Sequence, residues 1–370
     1  MPIETVLNVY IDANIMLLVA YSLWSLARFL LARAGLKHAY VSQLRLLNAG
    51  MVAILVSPVF VWLLGGLTTR YAMNISDIVV AQYLAGHVEI SALQLQDVLG
   101  LRDNFVRSLA DIGPVWAKAL ALVWLLGFGW CSLRIVGNIL TLRRIIRHSF
   151  VWRRFGSVQL LVSDTVLVPF STRGLRKRYI VIPSVMLGNS ADLRMAVSHE
   201  LEHFRRHDVE WEILLEFMRP LFFWNPVFYG WKRQVSELRE FSCDQSLAMR
   251  ASFDLRAYCE CLLRASQRGL AAKGVALATP SVALVNLHRG QHSVLKSRIL
   301  ALTAESAARE SRQISLLLVG PLMGLVVLVA MMIQRPTDWS HDRLMLSTII
   351  NLERLDARSE TASVGFGVRP

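Results

Sequence analysis

Residues 199 to 203 read His199-Glu200-Leu201-Glu202-His203, and a later stretch, Glu240-Phe241-Ser242-Cys243-Asp244, forms an ExxxD. On a helix, positions i and i+4 lie one above the other, so both histidines can present a ring nitrogen to one ion. A catalytic zinc takes three protein ligands and keeps a fourth position open for water. Glu240, from a later helix, is the candidate third ligand. Glu200 follows His199 by one residue, which turns it about 100° round the helix, toward a substrate rather than the metal. It is the candidate catalytic base, taking a proton from water whose pKa zinc lowers to roughly 7 and passing it to a leaving amine. Asp244, one turn beyond Glu240, is suited to accept a hydrogen bond from a ligand histidine and fix its tautomer. The pattern points to hydrolysis of a peptide bond with Zn2+ as cofactor.

The flanks agree with helices. Ser190, Ala191 and Asp192 are expected to cap a helix that continues through Leu193, Met195, Ala196, Val197, Leu201 and Phe204. The ExxxD falls in a helical stretch from Gln234 to Arg250. Glu202 reads as a solvated carboxylate paired with Arg205 or Arg206. Upstream, Val158 to Val162, Val166 to Val168 and Tyr179 to Ile182 read as strands. The last of these, with Tyr179, Ile180, Val181 and Ile182, is the expected open edge against which a substrate backbone would pair. Downstream, the aromatic run Val209 to Phe223 is broken by Trp224-Asn225-Pro226, as in a hairpin at headgroup level. Leu270 to Gln291 reads as a flexible connection, and Ser293 to Thr303 as a basic helix.

Composition places this chemistry at a membrane. The chain is 54% hydrophobic with a mean hydropathy of +0.43, and four apolar segments are long enough to cross a bilayer: about 11–31, 46–67, 115–140 and 314–333. The fold class expected is an α-helical membrane protein with four transmembrane helices and a cytoplasmic α+β zinc-peptidase domain. The first three spans lie in residues 1–140, the zinc domain in 141–313, and a short extracytoplasmic tail in 334–370. Arg33, Lys37 and Arg45 after the first span, and Arg143, Arg144, Arg147, Arg153 and Arg154 after the third, set those loops inside, so both termini face outward. Residues 141–313 hold 26 basic against 15 acidic residues, +11 of the chain's +13. No helix-turn-helix or other nucleic-acid signature accompanies that charge, so anionic lipid headgroups are the expected partner and direct nucleic-acid binding is not. Cys131, Cys243, Cys259 and Cys261 fall in the third span or the inner segment, where disulfides are not expected; Cys259 and Cys261 read as packing residues.

Taken together, Val168-Pro169-Phe170, Val181-Ile182-Pro183, the HELEH with Arg206 and Asp208, Trp224-Asn225-Pro226 and Arg239 to Asp244 resemble the BlaR/MecR-type membrane metallopeptidases of bacteria, relatives of the gluzincins. The resemblance covers nearly all of residues 1–333. It implies His199, His203 and Glu240 as zinc ligands, Glu200 as base, a structural role for Asp208, and a place in the bacterial cytoplasmic membrane. It also implies regulated proteolysis or signalling, by cleavage of a cytoplasmic transcriptional repressor or of the chain itself. Residues 334–370 contain no SxxK, so a β-lactam is not the expected signal. Two other readings stay open: a membrane quality-control protease of the Ste24/HtpX kind, and a non-catalytic transducer in which zinc is structural. Substrate, signal and oligomeric state are not fixed by the sequence.

Overall fold

Two apolar runs, Leu160-Leu161-Val162 and Ile180-Val181-Ile182, each alternate between opposite faces of a sheet and are buried on both. The computed structural model describes residues 3–65, 75–88, 90–111, 113–174, 176–250, 253–271, 291–303, 312–334 and 344–355. Its helices are α1 Ile3–Arg33, α2 Tyr40–Gly65, α3 Ile75–Leu84, α4 Ala92–Ala110, α5 Val115–His148, α6 Ser190–Arg205, α7 Asp208–Met218, α8 Pro226–Ala248, α9 Leu255–Ala271, α10 Gln291–Thr303 and α11 Arg312–Gln334. Strands β1 Phe150–Phe155, β2 Val158–Ser163, β3 Phe170–Arg173 and β4 Arg178–Pro183 form one sheet in the order β1-β2-β4-β3. The chain is mostly helical, with two compact units.

One unit comprises residues 21–49 and 124–320. On one face of its sheet Leu160, Ile180 and Ile182 pack with Met186 and Phe204, and with Leu193, Ala196, Val197 and Leu201 of α6. On the other, Leu161, Phe170 and Val181 pack on Leu142, Ile145 and Ile146 at the end of α5. The sheet is thus filled by α6 on one side and by the continuation of an apolar helix on the other.

The sheet corrects the expected substrate edge. β4 runs parallel to β2 and antiparallel to β3, so Tyr179, Ile180 and Val181 are paired on both sides and Ile182 on the β2 side. The reason is Phe170–Arg173, which is not among the expected strands and pairs with β4. No strand forms over residues 166–168. The edges are β3 and β1; every residue of β1, Phe-Val-Trp-Arg-Arg-Phe, is exposed.

The other unit comprises residues 1–20, 50–123 and 321–370. Ser91 and Gln94 cap the start of α4 reciprocally. The carboxylate of Glu353 also accepts from the Ala92 and Leu93 N–H groups there, and Leu346 and Ile350 bury themselves with Val80, Ala92 and Leu95. Within the short tail expected over 334–370, residues 344–355 are a helical segment packed on α3 and α4. Arg102 of α4 pairs with Asp12 of α1 at 2.7 Å.

Three helices are long and apolar enough to cross a membrane: α1, the Tyr40–Val59 part of α2, and α5. α11 covers the fourth expected segment. The connection expected over Leu270 to Gln291 lies mostly outside the described residues.

Gly127 of α5 is where the turn between α7 and α8 meets this helix, for a β-carbon there would overlap the Phe223 ring. Gly→Ala in a helix ordinarily stabilises by about 1 kcal/mol; Gly127→Ala should instead destabilise, by about 1–3 kcal/mol through overpacking. Thermal unfolding in detergent checks this, with Gly137→Ala, which has open space around it, as the variant expected to lose nothing.

Candidate metal centre

The helix carrying the histidine pair is anchored at both ends. Its cap is Asn189, one residue before the three expected, whose side chain accepts from the Ala191 and Asp192 N–H groups. Arg264 of α9 grips the Asp192 carboxylate with two nitrogens, at 2.6 and 3.0 Å. At the far end the chain reverses through His207 in a left-handed conformation, φ 60°, uncommon for a residue with a β-carbon. That turn starts α7 at Asp208 and folds its carboxylate back to 2.8 Å from His203 Nδ1.

The second helix, α8, starts as its sequence implies: Asn225 accepts from the Val227 N–H and Pro226 occupies the first turn. Arg206 donates to the Ser242 carbonyl and Ser246 hydroxyl, tying α6 to α8. The Phe241 ring stacks on Tyr40 with centroids 4.9 Å apart, and Arg28 donates to Gln234. Between α7 and α8 lies a buried ionic cluster. Arg239 pairs with Glu212 at 2.7 Å, and Lys232 with both Glu212 and Glu216. Burial pushes the Glu212 carboxyl up, but Arg239 and Lys232 outweigh it and hold the carboxyl below its ordinary value.

These anchors bring the predicted ligands together. His199 Nε2 and His203 Nε2 face each other at 3.2 Å, and the Glu240 carboxylate lies 3.5 Å from the first and 3.8 Å from the second. Tetrahedral zinc with bonds of 2.0–2.1 Å separates its ligand atoms by about 3.3 Å, so the three groups nearly span one face of such a polyhedron. The hydrogen bonds assign the tautomers. Asp208 requires a proton on His203 Nδ1. The Tyr258 hydroxyl donates to Asp244 at 2.6 Å, and so accepts from His199 Nδ1 at 2.8 Å. Both Nε2 lone pairs then point at one another, and a proton or a metal cation has to lie between them.

The electrostatics agree. Burial lowers the His203 pKa, yet the Asp208 hydrogen bond and the charges of Glu240 and Glu200 raise it to about 8. Burial also pushes the Glu240 carboxyl up, but Arg298, His199 and His203 hold it well below the carboxylate range. Glu200 is 8% exposed.

Cys243 is the competing third ligand, since its sulfur groups with the two histidines. Its Sγ lies 3.5 Å from His199 Nδ1 and 3.6 Å from the His199 carbonyl. That is the ring edge away from His203. Burial and the charges of Asp244 and Glu240 push its thiol pKa well up. Glu240 faces the Nε2 edges of both histidines, and Cys243 the opposite edge of His199.

Three residues depart from the sequence reading. Asp244 reaches His199 through the Tyr258 hydroxyl, its own oxygen standing 3.6 Å from Nδ1. Asp208, expected to be structural, orients a histidine. Glu202 is buried, not solvated, and pairs with Arg250 and Arg205. Tyr258 and Arg298 carried no sequence signal, because neither stands at motif spacing from the histidines.

A histidine pair with an acid beside the first, a carboxylate from a second helix, and long apolar helices in the same chain together make a membrane metallopeptidase. The chain belongs to the family described as BlaR1 peptidase M56, whose model matches residues 6–302. A search of curated proteins found no match.

Two outcomes follow from these contacts. Asp208→Ala should weaken metal binding at this centre about 10- to 100-fold, read by competition with a chromophoric chelator. Because the folded pKa of Glu212 is depressed, its stabilisation is complete above the ordinary carboxylate value of 4.5 and is lost as pH falls below it. The melting-temperature gap between the wild type and Glu212→Gln should therefore be widest at neutral pH and close on acidification.

Proposed function

We propose that this chain is a membrane-embedded zinc endopeptidase with His199, His203 and Glu240 as ligands and Glu200 as general base. The observation that carries the reading is the pair of Nε2 lone pairs facing each other at 3.2 Å beside the Glu240 carboxylate. Zinc held there supplies a Lewis acid that lowers the pKa of water and polarises a scissile carbonyl. Glu200, one residue round the helix, accepts the proton of the attacking water and delivers it to the leaving amine, so peptide bond and water exchange without a net proton. Asp208 and the Tyr258–Asp244 pair keep both imidazoles with their Nε2 lone pairs toward the metal. Of the two sheet edges, β3 borders α6 and is the one an extended substrate would join.

The substrate class we favour is a cytoplasmic regulator, such as a transcriptional repressor, or the chain itself, in regulated proteolysis at a bacterial cytoplasmic membrane. Four spans, with α11 as the fourth, put both termini outside and the zinc site inside. The packing of 344–355 on α3 and α4 supports this, since it needs the segment after α11 and the loop after α2 on one side. Exposed β1, with Phe150, Trp152, Arg153 and Arg154 directly after basic α5, suits anionic headgroups.

Glu200→Gln should keep its zinc and lose turnover by about 10²-fold or more. Zinc content and mass spectrometry of cleavage products in membranes holding candidate neighbouring proteins test it. Equal product from the variant would favour a structural metal.

A further inference from the structure

Arg298 stands on α10 with its side chain 13% exposed. Leu302, one turn on, packs against the cluster of Cys243, Leu247 and Tyr258, which turns this face of α10 to the centre. The guanidinium uses all three nitrogens. Nε and Nη2 donate to the two oxygens of Asp244 at 2.7 and 2.8 Å, and Nη1 lies 2.9 Å from Glu240 Oε2. Nη2 also lies 3.5 Å from the Tyr258 hydroxyl. One cation therefore spans both carboxylates of the ExxxD.

We infer that Arg298 is the positioning residue of the metal centre, fixing the Glu240 carboxylate by one oxygen and clamping Asp244 against Tyr258. This rests on the zinc reading above. Asp244 is 2% exposed, and a carboxylate so deeply buried needs its oxygens matched by donors. Held by Arg298 in one orientation, it accepts the Tyr258 hydrogen bond, and the Tyr258 hydroxyl in turn stands 2.8 Å from His199 Nδ1. At Glu240, Arg298 holds Oε2, which lies 3.5 Å from His199 Nε2, and leaves Oε1 free of it, 3.8 Å from His203 Nε2. A carboxylate held this way is fixed in its orientation toward both histidines. A flexible ammonium could reach one carboxylate but not fork across two.

The opposite effect is physically available: a guanidinium beside a ligand carboxylate could compete with the metal. The two differ in sign. Full-length protein in detergent is stripped and titrated with zinc against a chromophoric chelator, for the wild type, Arg298→Met, Arg298→Lys and His199→Ala. The expected result is affinity about 10- to 100-fold weaker in Arg298→Met, intermediate in Arg298→Lys, and abolished in His199→Ala. Cobalt in place of zinc should show an altered visible spectrum in Arg298→Met, which a loss of stability alone would not produce. Unchanged or tighter zinc binding by Arg298→Met, alongside a His199→Ala protein that binds none, overturns the role of Arg298 and leaves the zinc site standing. A wild type that takes up no zinc, or a His199→Ala protein that binds like the wild type, overturns both. Should Arg298→Met not fold, Arg298→Lys decides: wild-type affinity and an unchanged cobalt spectrum there overturn the proposal.

Discussion

Two imidazole nitrogens 3.2 Å apart need a proton or a cation between them, and most of the peptidase unit is arranged to keep them there. Each ring is pinned from behind, one by Asp208 and the other by Tyr258 backed by Asp244. Each pin requires an anchored element. Asp208 needs the left-handed turn at His207, Tyr258 needs α9 held to α6 by Arg264 and Asp192, and Glu240 needs α8 tied down by Arg206 and the Arg239–Glu212 pair. The buried ion pairs thus serve to bring the donors together.

The legible part of the sequence was the part governed by local periodicity. The four-residue spacing of His199 and His203, the ExxxD one turn long, and the Asn225-Pro226 start of α8 each follow from helix geometry alone, and their elements stand where they were expected. The short strands β1 and β3 were not legible. β1 is exposed throughout and has no apolar alternation to read, while β3 is four residues long and exists because β4 offers it a partner. That partner turned β4 from an expected edge into an interior strand. The supporting residues were hidden for another reason. Tyr258 and Arg298 reach the centre by tertiary packing from α9 and α10, and no spacing rule links them to His199.

Buried charge also resolves the misreading of Glu202. An acid beside Arg205 and Arg206 on a helix looks like a solvated pair, but α6 is enclosed by the sheet, α8 and α9, so its third acid is buried and matched by Arg250 of the segment after α8. The same logic holds in the other unit. There Glu353 serves as a carboxylate cap for α4, and its helix brings Leu346 and Ile350 to close a small core over Val80 and Leu95. A stretch that looked like an appendage completes a helix terminus and an apolar cluster at once.

The length of α5 exceeds what a bilayer crossing needs. Its 34 residues extend about 51 Å at 1.5 Å each, against about 30 Å of hydrocarbon. A helix of this length crossing a bilayer has about 20 Å to spare, and the basic end with Arg143, Arg144 and Arg147 is where the surplus belongs. That end carries the sheet through Leu142, Ile145 and Ile146, and the sheet carries α6. The basic end of α5, the sheet and α6 are thus packed in series, so the histidines are placed by the end of an apolar helix.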